Sequence, residues 1–215
     1  MFDEPLLIKL RYRGRLRDPQ QVYALSQEVE DICETHGWSH HRWDEDWSQP
    51  SNLKIDFTGA ALETEGHAAL KGITFHPHPD SESVWLTFEP DGTLHSLLTL
   101  NQPDFTADLP ADQLPWQRVK TGYDGVETHI QLCNLLRYLA DRYFDLFEVN
   151  DEAGYWQHGD EARVRQWMAE IDRKRQALRD AIAAVEADDS LSEEDRQQRV
   201  MQLIYEHSKH FRRSY

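Results

Sequence analysis

The chain lacks long apolar runs and a cysteine-rich framework. Its apolar runs are short, as at Leu97-Leu98, whereas a membrane span needs roughly 18 consecutive apolar residues. Residues 1–5 contain two acids and no basic segment followed by an apolar one, so no secretory signal is predicted. The two cysteines, Cys33 and Cys133, fall at apolar positions of predicted helices, and we interpret them as buried thiols. These absences indicate a cytoplasmic protein with no membrane partner.

Positive charge is also scarce, because 23 Lys and Arg stand against 39 Asp and Glu, which gives a formal net charge of -16. Proteins that bind nucleic acid gain affinity from clusters of Lys and Arg. Nucleic acid is therefore not an expected partner. An acidic surface keeps a protein soluble, and it also suits contact with a basic protein.

Hydrophobic periodicity predicts strands and one helix in the first hundred residues. Apolar residues at every second position predict the strands, and the helix runs from an Asp18-Pro19 cap to Gly37. The predicted strands lie at residues 6–13, 41–47, 53–58, 73–75, 84–88 and 94–100. This order predicts a mainly antiparallel β-meander sheet with one packed helix.

Helical spacing dominates the second half of the chain. One helix is predicted from Gly125 to Phe147, and two more begin at Asp160 and Ser192 and form an antiparallel hairpin. The predicted fold class is therefore α+β, with a C-terminal three-helix region. The expected organisation is a β-rich domain at 1–102, an irregular connector at 103–124, and a helical region at 125–215 packed on the sheet as one compact unit.

The most ligand-like stretch contains His76 and His78, two residues apart on an extended strand, and Asp80, which adds a carboxylate. Zinc accepts such a ligand set. His95 or His67 would have to complete the site. We favour the competing interpretation, an exposed hairpin loop, because a proline follows each histidine.

Two further segments combine glycine, acidic and aromatic residues. Two glycines precede the helix that carries His129, and a helix start suits an anion, although ordinary capping explains the pattern as well. His129 is a weak candidate for a catalytic acid or base. Aromatic residues in a loop serve recognition or pack over the helices. The predicted binding residues are Tyr123, Asp151, Tyr155 and Trp156.

No complete catalytic set is visible, because the chain has neither a P-loop nor a nucleophile elbow. The leading hypothesis is a bacterial-type cytoplasmic protein-interaction or accessory protein without catalytic activity or cofactor. It would bind a protein partner or itself, and an immunity or antitoxin-like binder of a basic partner is one version. The alternative is a metal-dependent hydrolase or small-ligand enzyme that uses zinc or manganese at His76, His78 and Asp80.

Overall fold

The computed structural model describes residues 8–58, 61–79, 81–100, 114–121, 126–188 and 190–212. It confirms the α+β class, with antiparallel sheets, helices and a C-terminal helical hairpin. The described strands are β1 Ile8–Leu16, β2 Ser39–Asp44, β3 Lys54–Thr58, β4 Ala61–Glu65, β5 Lys71–His76, β6 Val84–Phe88, β7 Leu94–His95, β8 Gln117–Thr121 and β9 Phe144–Asp151. The described helices are a 3-10 turn Pro19–Gln21, α1 Val22–His36, α2 Leu97–Leu100, α3 Glu127–Tyr143, α4 Tyr155–His158, α5 Glu161–Glu186 and α6 Glu193–Arg212.

One sheet joins distant parts of the chain in the order β8-β1-β9, and β1 runs antiparallel to both neighbours. Burial alternates along β1, where Ile8, Leu10 and Tyr12 are buried while Lys9 and Arg11 are exposed. Successive residues of a strand point to opposite sides of the sheet. The sheet therefore has an apolar inner face and a polar outer face.

The flanking strands β8 and β9 correct two sequence predictions. The helix predicted to reach Phe147 ends at Tyr143, because Phe144 adopts extended backbone (φ -98°, ψ 147°) and begins β9. Aromatic and β-branched residues such as Phe147 and Val149 favour this extended form when a partner strand is present. The end of the predicted connector forms β8 against β1.

The second sheet has the order β2-β5-β6-β7, and all its pairs are antiparallel. The strands β5, β6 and β7 follow one another in the chain, as in the predicted meander, while β3 and β4 form a separate hairpin. Gly72 lies so close to the neighbouring strand that an added Cβ would meet the Leu86 carbonyl oxygen at 2.1 Å. Two predicted strands are too long, because β2 ends at Asp44 and the residues Leu97–Leu100 form α2.

Tyr12 connects the two sheets from the inner face of β1. Its hydroxyl donates to the Trp85 carbonyl oxygen at 3.0 Å and accepts from the Trp85 amide at 2.9 Å. Burial raises the pKa of Tyr12, against the opposing effect of the Trp85 backbone, so the phenol keeps its proton.

The chain divides into two compact units, residues 1–164 and 165–215, and the boundary falls inside α5. The first unit contains the described strands and the helices α1 to α4. In the second unit, α5 and α6 form the hairpin. The amide of Asp195 donates to the Ser192 hydroxyl at 3.1 Å at the start of α6. No helix in the described part of the chain is long and apolar enough to cross a membrane.

Candidate functional site

Three side chains with metal-ligating atoms converge on the inner side of the sheet β8-β1-β9. His129 and Cys133 lie four residues apart on α3, so they share a helix face, and Asp151 ends β9. All three residues are buried, and their donor atoms lie within 4.8 Å of one another. Within the described ranges, this is the one such group of three His, Cys or acidic residues.

The imidazole of His129 occupies the centre of the cluster. Its Nε2 atom lies 3.3 Å from each carboxylate oxygen of Asp151 and 3.6 Å from Cys133 Sγ. The other ring nitrogen, Nδ1, lies 3.0 Å from Thr121 Oγ1, and the Thr121 hydroxyl donates to the Ile8 carbonyl at 3.3 Å. Because that hydrogen is committed to Ile8, the Thr121 oxygen accepts a hydrogen from Nδ1.

Backbone groups hold the Asp151 carboxylate in place. Its Oδ1 accepts from the Ala153 amide and its Oδ2 from the Trp156 amide, each at 2.8 Å. Burial alone raises the pKa of Asp151, but the contact with His129 and these two amides outweigh it and hold the pKa below its ordinary value. The carboxylate is therefore ionised at neutral pH.

Cys133 is not placed as a nucleophile. In a catalytic relay the nucleophile and the orienting carboxylate contact opposite nitrogens of the histidine, whereas Cys133 and Asp151 both approach Nε2. Burial and then the Asp151 charge raise the pKa of the thiol, while Arg137 lowers it less. The arrangement suits holding a cation or connecting elements of the fold, and it does not suit attack on a substrate.

Tyr155, one of the predicted binding residues, packs against this cluster. Its ring lies edge-on to His129 with 6.3 Å between centroids, and its hydroxyl donates to Asn134 at 3.3 Å. Only 6% of the residue is exposed. Tyr155 is therefore part of the packing between α3 and α4 rather than an exposed loop tip.

Trp156 follows Tyr155 in α4 and is half-buried. The Arg137 guanidinium lies 5.1 Å from its ring centroid and donates to its carbonyl oxygen at 3.0 Å. The structure thus brings His129, Asp151 and the Trp156 backbone together in one place. Tyr123 lies outside the described residues.

The segment around His76 forms a hydrogen-bonded turn. The His76 ring contacts the Ser81 carbonyl oxygen through Nδ1 and the Ser83 hydroxyl through Nε2, each at 3.1 Å. The Ser81 hydroxyl donates to the His78 carbonyl at 2.8 Å. Asp80 lies outside the described residues, so a metal site at these positions stays a prediction.

The two histidines considered as additional ligands are engaged elsewhere. His67 Nδ1 lies 3.2 Å from Glu45, and His95 Nε2 lies 3.0 Å from Glu89. No group of three potential ligands in the described part of the chain includes either histidine.

The outer face of the same sheet has a charge opposite to that of its surroundings. The first 164 residues contain 13 Lys and Arg against 29 Asp and Glu. Six of these thirteen cations form what we term the basic face, and they are Lys9, Arg11, Arg13, Arg15, Arg118 and Lys120. The strand register places Lys9 opposite Lys120 and Arg11 opposite Arg118. Like charges directly opposite each other destabilise an antiparallel pair.

Four of the six cations have an acidic partner. The pairs are Arg13–Glu148 at 2.6 Å, Arg15–Asp145 at 3.1 Å, Lys9–Glu152 at 3.9 Å and Lys120–Glu82 at 3.6 Å. Arg11 and Arg118 have no acidic partner among the residues that the structure describes. The Trp116 ring lies beside Arg11, whose guanidinium is 5.8 Å from the ring centroid, and beside Arg13, whose guanidinium is 4.5 Å from it.

No family model matches this chain, and neither a curated protein nor a solved structure is significantly similar to it. The function therefore has to be argued from the contacts of the chain itself.

Sequence reasoning missed two features of these sites. Cys133 was interpreted as packing, although its spacing of four residues from His129 on one helix was a visible signal. The basic face became visible only with the register of β1 and β8. Both features depend on strands from distant parts of the chain.

Proposed function

We propose that this chain is a protein-binding accessory protein whose basic face binds an acidic segment of a partner protein. The observation that carries the proposal is the position of Arg11 and Arg118, exposed and directly opposite each other. Their repulsion costs stability, and neither has an acidic partner in the described part of the chain. Carboxylates of a partner would remove this repulsion and accept bidentate hydrogen bonds from the guanidinium groups.

The charge pattern favours an acidic protein segment over a nucleic acid. Binding to a phosphate backbone requires many unneutralised cations, whereas four of the six on this face already pair with carboxylates. The net charge of -16 also repels a polyanion at long range. Trp116 adds an aromatic surface against which a side chain of a short peptide can pack.

The hypotheses drawn from the sequence were a protein-binding role without catalysis, an immunity-like version of it, and a metal-dependent hydrolase. A role without catalysis stays a prediction. The immunity-like version assigns a basic partner to the acidic remainder of the surface. The hydrolase version at His76, His78 and Asp80 receives no support from the contacts of His76, which stay within its own turn.

Fluorescence anisotropy with a labelled peptide of Asp, Glu and one Trp tests the proposal. We expect the affinity to fall about tenfold or more in Arg11→Ala/Arg118→Ala, because this change removes the two guanidinium groups that would contact carboxylates. The matched control is Arg163→Ala/Arg173→Ala, which removes the same charge from exposed positions elsewhere. Added salt should weaken binding to the wild-type chain.

Other outcomes would contradict the proposal. Equal losses in both double variants would show that overall charge, rather than the basic face, determines the affinity. Stronger binding of single-stranded DNA than of the peptide would assign the face to phosphate. Binding of a polylysine peptide in place of the acidic one would favour the immunity-like version.

A further inference from the structure

We infer that His129, Cys133 and Asp151 bind a zinc ion inside the first unit. This site is distinct from the basic face and from the histidines of the turn at residues 76–83. It uses one nitrogen, one sulfur and one oxygen donor, and zinc accepts all three. Its three side chains are buried and already converge.

The distances between the donor atoms agree with the edges of a zinc tetrahedron. Typical Zn–N, Zn–S and Zn–O bonds place a nitrogen about 3.6 Å from a sulfur and about 3.3 Å from an oxygen at tetrahedral angles. In the cluster, His129 Nε2 lies 3.6 Å from Cys133 Sγ and 3.3 Å from the Asp151 oxygens. These are the two edges that meet at the nitrogen, and all three donor atoms lie within 4.8 Å of one another.

The same distances are longer than those of a tight ion pair between a protonated His129 and Asp151. Hydrogen bonds between a charged nitrogen and a carboxylate are typically 2.7 to 2.9 Å long. Here both oxygens lie at 3.3 Å, and neither is closer than the other. A thiol that approaches the same nitrogen has no role in such a pair.

The surroundings of the imidazole orient it for metal binding. Because Thr121 donates to Ile8, its oxygen accepts the hydrogen of His129 Nδ1, so Nε2 is the nitrogen that faces Cys133 and Asp151 and would bind the ion. Metal-binding histidines commonly donate their second ring nitrogen to an acceptor in this way. The two amides that hold Asp151 fix the carboxylate ligand in the same manner.

Charge balance also suits a buried ion. On binding, the Sγ–H bond of Cys133 and the Nε2–H bond that His129 directs at Asp151 break, Zn–S and Zn–N bonds form, and both protons leave to solvent. One thiolate, one carboxylate and a neutral imidazole around a divalent cation leave no net charge in the interior. The described residues supply three ligands for the ion.

Metal analysis of protein purified without chelators or metal resins tests the inference. We expect about one zinc per chain in the wild type and in the His76→Ala/His78→Ala variant. Less than a tenth of that amount should remain in Cys133→Ala. If the metal is lost with the histidines of the turn and retained without Cys133, the assignment is wrong.

A second measurement does not require a variant of the site itself. Cys33→Ala retains Cys133 as the one thiol of the chain, so a thiolate-to-cobalt charge-transfer band after cobalt loading would identify Cys133 as the ligand. X-ray absorption of the zinc-loaded wild-type chain should count one sulfur neighbour. A wild-type chain that holds no zinc after reconstitution, or zinc without sulfur, would overturn the inference.

Discussion

The two faces of the sheet β8-β1-β9 differ in whether their polar groups are paired. On the inner face, Thr121, His129 and Asp151 form a continuous set of hydrogen bonds that ends on backbone groups. On the outer face, Arg11 and Arg118 lie opposite each other without an acidic partner in the described part of the chain. Alternate residues of the same strand β1 contribute to both faces.

This difference separates a structural role from a binding role. A buried polar group costs free energy unless it is paired, so the satisfied inner cluster is explained by folding and by the proposed zinc ion. An exposed pair of like charges has no such explanation, because it costs stability instead of adding to it. We therefore assign a role in folding stability to the inner face and the binding of a partner protein to the outer face.

The largest loss of stability is expected when Asp151, an acid on the inner face, is replaced. Asp151→Ala should lower the free energy of unfolding by about 3 to 5 kcal/mol, because it leaves His129 and two backbone amides without their partner. Asp145→Ala, which removes an acid paired with Arg15 on the outer side, should cost less than about 1 kcal/mol. Urea denaturation measures both, and similar losses would remove the distinction between the faces.

Tyr12→Phe tests the connection between the sheets. The change leaves the amide and carbonyl of Trp85 without their hydroxyl partner, which should cost about 2 kcal/mol. Tyr23→Phe, at a position that is 45% exposed, provides the matched control and should cost less than about 1 kcal/mol. An unchanged urea midpoint for Tyr12→Phe would show that this hydrogen bond does not hold the sheets together.

Glu28 makes a pH-dependent contribution to the free energy of unfolding through contacts that lie outside the sheet. Burial raises its pKa, but the hydroxyls of Tyr138 and Tyr143 and the charge of Arg142 outweigh it, so the net pKa lies below its ordinary value. A depressed carboxyl pKa contributes stability above the unfolded pKa of about 4.3, and this contribution is lost as the pH falls through the folded value.

We therefore expect Glu28→Gln to reduce stability by about 1 kcal/mol at pH 7. It should also flatten the decline of the unfolding free energy below about pH 4.5. Urea titrations at several pH values measure this slope, and the exposed Glu63→Gln should leave it unchanged. A slope that is identical in Glu28→Gln and the wild type would contradict the assignment.

The smallest change in stability is expected on the basic face, and it is a gain rather than a loss. Arg11→Ala should raise the unfolding free energy by a few tenths of a kcal/mol at low salt, because it removes the repulsion with Arg118. Arg13→Ala removes an ion pair with Glu148 instead and should not stabilise the chain. Thermal unfolding at low and high salt distinguishes them, and a loss of stability in Arg11→Ala would indicate a structural role.

Sequence reasoning predicted the elements that depend on local periodicity. The helix α1 begins after the Asp18 cap and ends before Gly37, whose left-handed backbone (φ 68°) closes it. The pairing of β5 with β6 follows from two neighbouring alternating segments. The order β8-β1-β9 could not be predicted, because Ile8 pairs with a residue more than a hundred positions away.

The candidate site was predictable only residue by residue. His129, Asp151, Tyr155 and Trp156 were each selected for their chemistry, but their convergence requires the strand β9, which begins inside the helix that was predicted to reach Phe147. Cys133 was not selected, because a buried thiol on a helix usually reflects packing. Its approach to the same nitrogen as Asp151 is a tertiary feature.

Amide chemical-shift mapping during titration with the acidic peptide tests the central claim most directly. The account predicts that the largest shift changes lie at Lys9, Arg11, Arg118 and Lys120, with little change in the α5–α6 hairpin. Changes centred elsewhere, or none at saturating peptide, would contradict the assignment of recognition to the outer face.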